Sequence, residues 1–122
     1  MIKTLSILSF AILMALSISS CGWKPDVTAV PVTAPWDSMN LPIKENAVVW
    51  ASTPTEFKAV HKASKVAVVA KYSDALKAAG WKLSSYDDKN PTMYFIEVEK
   101  GGEKLSIDVY DFQGTGVIIK KK

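Results

Sequence analysis

A chain of 122 residues with a formal charge of +3 has room for one small domain, which excludes a two-domain enzyme. One Cys and one His leave no intrachain disulfide, no thiolate zinc site and no His cluster. All 15 basic residues are Lys, so no guanidinium is present to clamp phosphate or carboxylate, and the weak charge gives no footing for nucleic acid. In chain order, Met1 to Ser20 comes first: Met-Ile-Lys, then an apolar run from Leu5 to Ile18, with Lys3 its only charge. A short positive start before about 14 apolar or small residues has the form of a secretory signal. A permanent membrane span needs about 20 such residues.

The run ends in Ile18-Ser19-Ser20-Cys21. These four residues resemble the lipobox of bacterial lipoprotein signals, an aliphatic residue, two small residues and a Cys. The resemblance implies cleavage between Ser20 and Cys21, a diacylglyceryl thioether on the Cys21 thiol and an N-acyl group on the new amine. No other cofactor is expected. A buried methylene contributes about 0.8 kcal/mol and a single chain binds only marginally, so two or three chains make a permanent anchor. Gly22 follows, where an Asp would favour inner-membrane retention; the same resemblance therefore implies the outer membrane, facing the periplasm. Loss of Lys3 with the signal leaves 14 Lys against 12 acids.

Residues 21–41 hold Pro25, Pro31 and Pro35 without a helical period. Proline blocks helix and removes sheet donors, so an extended tether is expected, reaching up to roughly 60 Å at about 3.1 Å per residue. Trp23 is expected at the bilayer interface, and Trp36 as a contact between tether and domain. Residues 42–122 are expected to fold as the domain, with a small core.

Ala47-Val48-Val49-Trp50-Ala51 reads as a strand and Glu56 to Lys62 as a second. Ser64 is expected to cap a helix through Ala79, with Val66, Val69, Tyr72 or Ser73, Leu76 and Ala79 as its apolar stripe. Gly80 stands where a left-handed C′ glycine belongs. Beyond it the period becomes two. Trp81 and Leu83 share a face, and Asp87 to Pro91 turns. Tyr94, Ile96 and Val98 alternate with Glu97 and Glu99; Gly101-Gly102 marks a hairpin. Leu105, Ile107 and Val109 alternate in turn, Gln113 to Gly116 turns again, and Val117 to Lys120 closes the sheet. The pattern predicts an α+β fold, one helix packed on an antiparallel β-meander. Val68 to Trp81, with Tyr72, Leu76 and Gly80-Trp81, also resembles a pattern of small envelope lipoproteins in which a strand precedes a helix that ends in Gly-Trp and leads into a meander. The chain departs from it in lacking an acidic cap before the helix. The resemblance implies a fold and a location, and no activity.

Candidate chemistry is sparse. Any Ser-His-Asp or Cys-His site would need His61, between Val60 and Lys62, and no nucleophile elbow accompanies it, so a surface His is expected. Glu97 and Glu99 fall about 7 Å apart on one strand face, a spacing compatible with an inverting carboxylate pair, but that face should be solvated. Gly114-Thr115-Gly116 lacks the helix and Lys of a phosphate loop. Asp87-Asp88 with Asn90 lacks the Glu and Gly of an EF-hand, so a plain turn is expected and no metal. Lys120 to Lys122 reads as a solvated terminus, and Trp50 and Trp81 as core. The functional expectation is a non-catalytic interaction or adaptor module, held at the membrane by its lipid and meeting a protein partner in the envelope. The alternatives are a lipid- or glycan-binding lipoprotein and an inhibitor of a wall hydrolase.

Overall fold

Alternation of apolar and polar side chains sets the architecture. The computed structural model describes residues 23–122. Six strands, β1 (Ala47–Ser52), β2 (Glu56–His61), β3 (Lys82–Asp87), β4 (Met93–Lys100), β5 (Glu103–Asp111) and β6 (Thr115–Lys121), form one antiparallel sheet in the order β1-β2-β6-β5-β4-β3. The helix α1 (Lys65–Ala78) lies between β2 and β3 in the chain and carries it from one side of the sheet to the far edge. The fold is therefore α+β. β3 to β6 form the expected meander, but β6 does not close the sheet. It pairs with β2 as well as β5 and lies inside it.

Register explains the core. Phe57, Ala59 and His61 of β2 stand opposite Ile119, Val117 and Thr115 of β6. Those in turn stand opposite Ile107, Val109 and Asp111 of β5; Ile96 and Tyr94 of β4 continue the rows of Ile107 and Val109, and Val98 stands opposite Leu105. These side chains share the face beneath α1, where Val68, Tyr72 and Leu76 are buried against them. The helix stripe is thus spaced by four from Val68. The expected stripe was out of phase at Val66, which is 67% exposed.

The helix ends behave as the sequence dictates. Ser64 Oγ accepts from the Ala67 amide at 3.2 Å. Gly80 sits at φ +95°, and Lys100 Nζ reaches over it to the Ala79 carbonyl at 2.6 Å. A Cβ at Gly80 would meet only the movable end of the Lys100 side chain, at 3.2 Å from Cε, so it is the backbone angle that requires glycine at this corner. Trp81 follows into the core.

The described segment before β1 forms no strand and only one short helical turn, and it is not a free spacer. Val30 donates its amide to the Val49 carbonyl at 2.9 Å, and Thr33 bonds Ser52 through both backbone and side chain. A single 3-10 turn, Trp36–Ser38, then drops the Trp36 indole into the core, 1% exposed and 5.9 Å from the Phe57 ring. Its Nε1 donates to the Thr53 carbonyl at 2.6 Å. Leu41 is buried beside it, so the packed unit begins well before residue 42.

Replacing a fully buried Trp by Ala typically costs about 3–5 kcal/mol. Trp36→Ala should therefore lower the chemical-denaturation midpoint sharply, whereas a change within about 0.5 kcal/mol, the range of a surface substitution, would show that the indole is not in the core.

Candidate functional site

His61 is not on the surface. As the last residue of β2 it faces α1, is 4% exposed, and its Nε2 lies 2.7 Å from the Tyr72 hydroxyl. The rings meet edge to face at 5.2 Å. Burial, aided by the positive charge of Lys71, pushes the imidazole from its ordinary 6.5 down to about 4. Burial alone pushes the Tyr72 phenol far up. A neutral imidazole and a protonated phenol share one hydrogen between them, which satisfies two polar groups inside an apolar core. Thr115 closes the same corner by donating its hydroxyl to the Ala63 carbonyl. Alternation along Phe57, Ala59 and His61 carried the signal for this burial, since the three must share a face.

The opposite face of the sheet holds the carboxylates. Glu97 accepts from Lys122 Nζ at 2.7 Å, and that hydrogen bond and charge hold its carboxyl below the usual range. Glu99, opposite Lys104 in the register, is exposed. An inverting pair needs one carboxyl raised to act as the acid, and the ion pair at Glu97 works against that. Asp108, which the sequence reading did not single out, lies opposite Phe95 and Ile118 on this face, where burial raises its carboxyl against the pull of Lys120 and Lys122. These groups stand on an open sheet surface.

The remaining candidates resolve into structure. Asp87 Oδ1 accepts from the Lys89 amide, and Asn90 Oδ1 accepts from the Thr92 amide and hydroxyl, so this loop spends its oxygens on its own backbone. Among the described residues no three His, Cys, Asp or Glu gather as a metal site. Gly116 lies beneath the Tyr110 ring, where a Cβ would come within 2.6 Å of Cζ. Tyr110, Phe112 and Trp50 form an aromatic row on this second face, with centroid spacings of 5.9 and 6.0 Å, and Lys58 Nζ sits 5.0 Å from the Trp50 ring centroid. Trp50 is thus half-buried away from the helix, unlike Trp81.

Two concave surfaces flank the C-terminal end of α1. One, of about 610 Å³, is bordered by Met39, Asn40, Ala79, Trp81 and Lys100. The other, a groove of about 410 Å³, runs between α1 and β3 over Leu76, Trp81, Leu83 and Val98. Both open to solvent, and the space beneath the helix is filled by Val68, Tyr72 and Leu76.

Ile18, Ser19, Ser20 and Cys21, which resemble a lipobox, lie outside the described residues. The first described residue, Trp23, donates its indole Nε1 to the Gln113 carbonyl at 2.8 Å, and the Asp26 amide donates to Gln113 Oε1. The chain therefore enters the fold at the β5–β6 turn. Comparisons with family models, with curated proteins and with solved structures return no match.

The His61 pair gives stability a pH dependence with a definite sign. Between about pH 6.5 and 4 the unfolded chain binds a proton that the folded chain refuses, so stability falls as pH falls through that window. The loss from this group should reach about 2 kcal/mol by pH 5. Denaturation curves should show it, and His61→Gln should flatten the slope between pH 7 and 5. An unchanged slope in the variant would mean that His61 is not held neutral.

Proposed function

We propose that this chain is a membrane-anchored envelope lipoprotein that works as a non-catalytic interaction or adaptor module. The observation that carries the reading is Ile18-Ser19-Ser20-Cys21 at the end of an apolar signal-like run, with the only thiol of the chain at the position that would be acylated. Cys21 stands two residues before Trp23, a covalent span of at most about 7 Å. With Trp23 fixed to Gln113, an acylated Cys21 would hold the β5–β6 end of the domain close to the bilayer, not at the end of a long spacer.

The chemistry of the domain supports the adaptor role. Its one imidazole is bound to a phenol in the core, and Glu97 is bound to Lys122. By the lipobox resemblance, with Gly22 after the Cys, the location is the periplasmic face of an outer membrane. The groove over Leu76, Trp81 and Leu83 supports a second reading, in which a small lipid or glycan lies against α1.

The test is Cys21→Ser in the full chain. The wild type should gain the mass of its acyl groups and partition with membranes, and the variant should lose both the mass increase and the membrane association. A variant that still fractionates with membranes at the wild-type mass increase would contradict the anchor.

A further inference from the structure

The two edges of the sheet are treated differently. β1 is covered by Val30 and Thr33, which bond Val49 and Ser52. β3, at the other end, has an outer edge that no other described residue covers, and all six of its residues are exposed. Among them Leu83 is 63% and Tyr86 45% exposed, both large apolar surfaces left in water. An open edge of this kind is a template for another strand.

The sequence of β3, Lys-Leu-Ser-Ser-Tyr-Asp, says which strand fits. Read antiparallel to itself, it places Lys82 opposite Asp87 of a second copy, Leu83 opposite Tyr86, and Ser84 opposite Ser85. In a regular strand Leu83 and Tyr86 would point to opposite faces, and this pairing would fail. Here a bulge at Ser84 removes the conflict. Leu83 pairs with Val98 and Tyr86 with Ile96, both on the helix face, while Lys82, Ser85 and Asp87 pair with Glu99, Glu97 and Phe95 on the other. Opposed residues of two copies then share a face at Lys82–Asp87 and at Leu83–Tyr86, with the bulged Ser84 beside the two-fold axis.

We infer that β3 is a homodimerisation edge, joining two copies of this chain through a two-fold axis between Ser84 and Ser85 into one continuous twelve-stranded sheet. Among the described residues only β3 is an open edge, so the pairing closes at two copies and does not propagate. Lys82 has no carboxylate partner within 4 Å among the described residues, and Asp87 uses only Oδ1 on Lys89, so each charge has capacity for the other copy. A lone Lys on an edge ordinarily discourages strand addition; opposite Asp87 it fixes the register. Tyr86 of the second copy would lie across Leu83, at the mouth of the groove over Trp81 and Leu76. The interface is small, and so the dimer is weak and concentration-dependent. This goes beyond the adaptor reading and does not depend on the lipid anchor.

The test co-expresses two differently tagged full chains, one Ser84→Cys and the other Ser85→Cys, followed by mild oxidation and a non-reducing gel. The mixed-tag disulfide should exceed that from Ser84→Cys or Ser85→Cys chains paired with themselves, and exceed the background given by Cys21 in the wild type. Lys82→Glu in both copies should lower the mixed product about tenfold, since two attractive pairs become repulsive. Adding Asp87→Lys to the same chains should restore it. These positions are exposed, and thermal melts of each variant check that the fold is intact. A mixed product no greater than background, or one indifferent to Lys82→Glu, would overturn the dimer. Membrane fractionation of the same cells reports on the anchor separately.

Discussion

The Trp36 indole, seated against Phe57 and bonded to the Thr53 carbonyl, is the contact on which the rest of the arrangement depends. It fixes the segment before β1 to the sheet. That segment then covers the outer edge of β1 through Val30 and Thr33 and leaves β3 as the open edge. The same docking brings Trp23 to Gln113, so the chain enters the fold at the β5–β6 turn. The point at which the chain enters the fold and the edge left open thus follow from one buried side chain.

The polar interior is equally economical. A roughly eighty-residue sheet and helix has little stability to spare. His61 and Tyr72 would each be costly to bury alone, and together they satisfy one another under α1. The consequence is a core that weakens on acidification, because the imidazole must refuse its proton to stay in place. The surface ion pairs, such as Lys122 with Glu97 and Lys65 with Asp111, add little stability by comparison.

Much of the fold was legible. The apolar run at Ala47 gave β1, and Gly101-Gly102 with alternation on either side gave the β4–β5 hairpin. Ser64 and Gly80 bracketed the helix correctly. The helix phase was harder to read. Ala67, Ala70, Ala75, Ala78 and Ala79 fit either face, so apolar contrast around the axis is low and Val66 could not be told from Val68 by pattern. Trp36 was legible as a contact between tether and domain, but the path of its segment along β1 was not. Proline excludes helix and ladder donors, but it does not prevent an extended chain from lying along a sheet edge. The bulge at Ser84, which puts Leu83 and Tyr86 on one face, is a register fact that period-two reading cannot supply. Ile18 to Cys21 are the converse case, since their resemblance to a lipobox lies in the sequence and the residues lie outside those described.

The central claim is that residues from Trp23 onward belong to the folded unit, and native-state hydrogen exchange of the full chain tests it most directly. The Trp36 indole N–H and the Val30 amide should exchange slowly, with the Trp36 indole approaching the protection of the central strands β5 and β6. Exchange of both at unstructured-chain rates, while β5 and β6 stay protected, would contradict the account.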